Sequence, residues 1–106
     1  MLISEPEDRF IIIGAKNITI PCQATSTKDG NLTILWKHND SYITDYDNKH
    51  FRQTGQGSLF FIQFLHRDVG DYQCTVIRSI QTVRKEQISS KTARYQAACK
   101  FIYVTG

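Results

Sequence analysis

Apolar residues in this chain come in short runs between turn signals, and no segment repeats them at the helical spacing. Phe10 to Ile13 is the first run, closed by Gly14. In KNITIPCQA, Ile18, Ile20 and Cys22 alternate against Asn17, Thr19 and Gln23. Such a period of two sends neighbouring side chains to opposite faces of a strand. STKDGN is a turn cluster. LTILWKH then sets Leu32, Ile34 and Trp36 on one face and Thr33, Leu35 and Lys37 on the other. NDSYITDYDNKH is polar and broken and predicts a short strand within loops. FRQTGQGS holds a small strand and a glycine turn. LFFIQFL and DYQCTVI read as strands. RSIQTVRKEQISSKTA is open between a long hairpin loop and an extension of both flanking strands. RYQAACKFIYV closes the chain. Strands at this spacing, with no helix, predict an all-β sandwich.

The stretch RDVGDYQCTV adds detail, because Asp68, Gly70, Tyr72 and Cys74 stand at alternate positions. Tyr72 and Cys74 then face the same way. Asp68 and Gly70 suit a tight corner entering that strand. A buried tyrosine needs a hydroxyl partner, and a corner offers free backbone groups.

The 106 residues suffice for one domain and not two. At 41% hydrophobic and 22% charged, the composition allows a real core. A net charge of +3 is too small to imply nucleic acid. Basic residues are scattered among acids except around Arg84, Lys85, Lys91, Arg94 and Lys100. No apolar run approaches the roughly 20 residues of a membrane span. MLISEPEDRF lacks the basic and apolar regions of a signal peptide, and Met1 reads as an initiator placed on an excised fragment. Three cysteines, Cys22, Cys74 and Cys99, allow at most one internal pair. Three of the four asparagines, Asn17, Asn31 and Asn39, begin a glycosylation acceptor, against about 0.5 expected from average composition. That excess favours a secreted or cell-surface chain.

Cys22, Trp36 fourteen residues on, and the D-x-G-x-Y-x-C pattern ending at Cys74 together resemble the immunoglobulin superfamily. The resemblance spans about residues 6–104. The 51 residues between Cys22 and Cys74 are short for a variable-type domain and suit the intermediate set. More loosely, NLTILWKHNDSYI, GSLFFIQFL and FIYVTG resemble membrane-distal modules of contactin-like adhesion proteins. The long segment between the last two strands and the additional Cys99 depart from the pattern.

The resemblance implies one Ig-like domain over 6–104, a two-sheet antiparallel sandwich with Greek-key topology. It implies a Cys22–Cys74 inter-sheet disulfide with Trp36 packed on it, and Tyr72 in the core. It also implies that Arg52 meets Asp68 of the corner. The function implied is an extracellular module for protein–protein contact in cell adhesion, homophilic or heterophilic. Alternatives are a ligand-binding or spacer module of a growth-factor or guidance receptor, and an intracellular muscle-type spacer.

Parity supplies candidate surfaces. Leu35 and Ile77 point outward on strands expected to be neighbours, with Lys37 and Thr75 as a polar surround, so Leu35, Lys37, Thr75 and Ile77 form the candidate interface. On the other sheet Leu59, Phe61 and Phe64 fit inward positions and Phe60 and Ile62 face out. Asn17, Asn31 and Asn39 are expected to be exposed, with a glycan on Asn17 shielding the Phe60 and Ile62 sheet. The Arg84–Arg94 segment could meet an acidic partner or a sulphated glycan, or stand as a solvated loop. Cys99 shares the inward parity of Phe101 and Tyr103 and reads as a small buried hydrophobe. A bond to another chain, or a bulge that shifts its parity, are the other readings. His38, His50 and His66 share no metal-ligand spacing and read as solvated. No nucleophile elbow, zinc-helix motif or phosphate-cradling loop is present, so neither an enzyme nor a cofactor is expected.

Overall fold

The alternation read in the sequence becomes two packed layers in the structure, a computed structural model that describes residues 2–24, 31–46, 49–80 and 84–98. In chain order the strands are β1 (Leu2–Ser4), β2 (Arg9–Ile12), β3 (Lys16–Ile20), β4 (Gln23–Ala24), β5 (Asn31–His38), β6 (Ser41–Tyr42), β7 (Phe51–Gln53), β8 (Leu59–Gln63), β9 (Gly70–Ile80), β10 (Arg84–Ser89) and β11 (Ala93–Ala98). A single 3-10 turn, His66–Asp68, sits between β8 and β9. The larger layer runs β2-β11-β9-β5-β6, with β10 also paired to β9. The smaller layer is β3-β8-β7, and β4, which follows β3 after Pro21 and Cys22, carries β1 at its edge. The ladders are antiparallel except that of β2 with β11, which is parallel. Crossings from β4 to β5 and from β8 to β9 link the layers in a Greek-key sandwich.

Both layers turn their apolar faces inward. Ile20, Cys22, Leu59, Phe61 and Phe64 from one meet Trp36, Tyr72, Cys74, Val76, Ala93 and Tyr95 from the other, all buried. Phe61 stacks on Phe51 at 5.3 Å between ring centres and meets Phe64 and Tyr72 edge-on. Such aromatic pairs add about 0.5–1.5 kcal/mol each beyond the area they bury. Cys22 and Cys74 are bonded across the layers, with 6.5 Å between their Cα atoms. Closing a loop between residues 52 apart in sequence is worth roughly 4 kcal/mol in the chain-entropy treatment. The Trp36 indole, fully buried, donates to the Gly57 carbonyl at 2.7 Å, so its polar atom is satisfied. The Tyr72 hydroxyl donates to the Asp68 carbonyl at 2.5 Å, which is the corner partner expected of it.

The segment left open by the sequence extends both flanking strands. β9 runs eleven residues, roughly 35 Å, and pairs with β10 from Thr75↔Ser89 to Ile80↔Arg84. The last strand breaks at Ser90, whose side chain replaces the lost ladder bond. Ser90 Oγ accepts from the Cys74 N–H at 3.1 Å while the Ser90 N–H donates to the Cys74 carbonyl at 2.8 Å. Opposite this, β5 and β6 are joined by Asn39 and Asp40, both in the left-handed region at φ 52° and 68°. Two such residues make the tight hairpin turn whose twist matches that of the strands.

Candidate protein-contact face

The outward side of the larger layer is a lattice of side chains set by strand register. Tyr42, Lys37 and Gln73 lie across one row, Leu35, Thr75 and Ser89 across the next, and Thr33, Ile77 and Gln87 across a third. Leu35 and Ile77 are therefore diagonal neighbours on adjacent strands, close enough for branched side chains to touch. Leu35 is 38% exposed and Ile77 half-buried. Lys37 is half-buried too, and its ammonium lies 4.9 Å from the centre of the Tyr42 ring. Tyr42, 51% exposed, was not among the expected interface residues. The Asn39-Asp40 turn was the signal for it, since a two-residue hairpin sets Tyr42 opposite Lys37.

Thr75 does not belong to a polar surround. It faces outward as expected but is only 3% exposed, because β10 flanks β9 there and Ser89 Oγ lies 2.9 Å from Thr75 Oγ1. The pair satisfies two hydroxyls within the sheet. The wet margin of the face is instead Gln87 and Ser89, both exposed, with Thr33 and Lys37.

On the smaller layer Phe60 and Ile62 face outward and are half-buried. The Arg52 guanidinium covers Phe60 at 4.9 Å from the ring centre. Arg52 consequently does not reach Asp68. His50, just before β7, takes that place: its Nε2 lies 2.7 Å from Asp68 Oδ2. The same carboxylate oxygen accepts the Leu65 N–H at 2.7 Å. Two of the three histidines also depart from a solvated reading, while His66 is exposed. The His50 side chain is 10% exposed, and the His38 ring stacks on Tyr72 at 4.4 Å with Nε2 3.0 Å from the Val69 carbonyl. Tyr72 is pushed well above the usual tyrosine range by burial, then by the Asp68 charge and by Tyr95. Among the described residues no cluster of three or more His, Cys, Asp or Glu could hold a metal ion. Nor is any helix there long and apolar enough to cross a membrane.

Of the acceptor asparagines, Asn17 and Asn39 are exposed. Asn17 stands on β3 in the smaller layer, and Asn39 in the β5–β6 turn, where its side-chain oxygen accepts the Asp71 N–H at 2.9 Å. The Asn31 side chain and Cys99 lie outside the described residues. In the basic segment, Lys91 is 3.8 Å from a Glu7 oxygen and Arg94 Nε is 3.0 Å from Asp71 Oδ1. Each of these two cations is thus already matched by an acid. Phe10, 68% exposed on the edge strand β2, is the largest apolar exposure that the sequence reading passed over.

Comparison with known proteins agrees with this architecture. The family model "Immunoglobulin domain" matches residues 15–81. Mouse Protein sidekick-1 is 33% identical over 76 residues, covering 72% of this chain and 3% of that protein. The human leucine-rich repeats and immunoglobulin-like domains protein 2 is 28% identical over 65% of this chain and 7% of its own length. This chain therefore spans only a small part of either relative. In fold it is similar to domain D1 of Duf (Kirre), with a TM-score of 0.71 at 23% identity over 92% of this chain and 95% of that one. Two cysteines bonded across two layers, a tryptophan buried beside them and a tyrosine hydrogen-bonded to its own corner thus have one common explanation: the chain belongs to the immunoglobulin domain family.

Proposed function

We propose that residues 6–104 are one extracellular module of a longer cell-surface protein, making protein–protein contact in cell adhesion. The contact surface in this reading is the outward face of β6, β5, β9 and β10. One observation carries it: Leu35 and Ile77 are diagonal neighbours on one outward face, Tyr42 stands on the same face beside Lys37, and exposed polar residues lie at the margin. An apolar centre with a wetter rim is how protein interfaces are commonly built. The Cys22–Cys74 bond supports an oxidising compartment over the muscle-type cytosolic alternative. Asn17 lies on the opposite layer, so a glycan there would leave this face open. The patch is small, so binding by one module is weak and many copies act together.

The experiment is a pair of double variants in the intact ectodomain displayed on cells. Leu35→Asp with Ile77→Asp is expected to abolish clustering while circular dichroism stays unchanged. Phe60→Asp with Ile62→Asp, on the opposite layer, is expected to leave clustering intact. The reverse pattern would move the contact to the smaller layer.

A further inference from the structure

Away from the contact face, three side chains meet at the corner between β8 and β9. His50 lies between the Asp68 carboxylate, 2.7 Å from Nε2, and the Arg67 guanidinium, 3.0 Å from Nδ1. We propose that His50 is a proton-operated latch: uncharged, it holds Arg67 on the corner, and protonated, it keeps Asp68 and releases Arg67. The atoms that can donate fix the protonation state of the ring. A guanidinium only donates, so Nδ1 must offer its lone pair to Arg67. A carboxylate only accepts, so Nε2 must carry the proton toward Asp68. Both contacts together require neutral His50 in the Nε2–H form.

Acidification supplies a proton from water to the Nδ1 lone pair, the acceptor that Arg67 uses. Two N–H donors then face each other and the Arg67 bond is lost. The bond to Asp68 survives and gains charge assistance. Histidine is the side chain suited to such a change between about pH 5 and pH 8. Among the described residues, the ionisable groups around His50 are Arg67 and Asp68 of the corner, His38 of β5, Tyr72 of β9 and Tyr42 of β6, with Lys49 adjacent in the chain. All of these groups except Lys49 line one cleft of about 400 Å³ with His50. Tyr42, whose ring meets Lys37 on the outward face of the larger layer, is the residue common to the cleft and that face. Asp68 stays engaged in both states, because it also holds the Leu65 N–H and its carbonyl holds Tyr72. Releasing Arg67 thus alters the cleft without opening the sandwich.

One substitution separates the states. In His50→Gln the amide nitrogen can donate to Asp68 while the amide oxygen accepts from Arg67, so both bonds persist and neither titrates. The test is nuclear magnetic resonance on the 106-residue chain, nitrogen-15 labelled, from about pH 7.5 to about pH 5. At the upper pH, His50 is expected in the Nε2–H form alone. At the lower pH, hydrogen exchange at the Arg67 guanidinium is expected to run about fivefold faster in wild type than in His50→Gln at that same pH, as loss of one hydrogen bond predicts. Finding His50 in the Nδ1–H form or doubly protonated at the upper pH would overturn the proposal, and that measurement needs no variant. Equal Arg67 exchange in the two proteins at the lower pH would overturn it as well.

Discussion

Gly70 shows how tightly single positions are specified at the corner. Its φ is +144°, where L side chains are strained, and an added Cβ would lie against Asn39 Oδ1 and 2.7 Å from His38 Nε2. Gly70→Ala is expected to destabilise by about 1–3 kcal/mol, read as a lower urea midpoint with unchanged slope. Tyr72→Phe tests the same corner from the other side. It removes the bond to the Asp68 carbonyl and leaves that carbonyl unpaired, costing about 1–2 kcal/mol in the same assay. At this scale the sequence was legible wherever strand alternation held, as at Trp36, Tyr72, Phe60 and Phe61. It failed at Arg52 because alternation ends with the strand. Arg52 sits inside β7 and follows the outward parity onto Phe60, whereas His50 lies in the bend before β7 and turns inward to Asp68. No spacing rule marks where a three-residue strand begins.

Among the elements, the β9–β10 hairpin decides what the larger layer presents. From Arg78 onward its residues are mostly polar and lack a strong alternation, so a loop and a strand extension read alike in sequence. The structure extends the ladder, and that difference is what buries Thr75 beside Ser89 and moves the polar margin to Gln87. Ser90 pins the break between β10 and β11 by accepting the Cys74 N–H. Ser90→Ala leaves that buried donor without its acceptor, at a cost of about 1–3 kcal/mol. Hydrogen exchange at the Cys74 amide is expected to speed up more than that at the Trp36 amide on the neighbouring strand. Equal changes at both amides would mean that Ser90 does not hold the break.

The whole sandwich depends on its disulfide and on two neutral tyrosines in the core. Reduction of Cys22–Cys74 is expected to lower stability by about 2–5 kcal/mol, a large part of what a domain this size holds. Tyr72 and Tyr95 are both raised above the ordinary tyrosine value, chiefly by burial. A raised folded value means that the unfolded chain loses these protons first. The stabilisation is therefore complete below about pH 10 and falls as the pH rises past it. Alkaline titration followed by tyrosinate absorbance and circular dichroism together should show these two groups ionising only as the sandwich opens. The central claim concerns the face made of β6, β5, β9 and β10, and a glycan wedge tests it most directly. Gln87 is exposed, lies opposite Ile77 in the ladder and is followed by Ile88 and Ser89, so Gln87→Asn alone creates an acceptor on that face. With the intact ectodomain made in a secretory line and the new glycan confirmed by mass, the account predicts that cell clustering is lost. Clustering that persists with the glycan in place would contradict it.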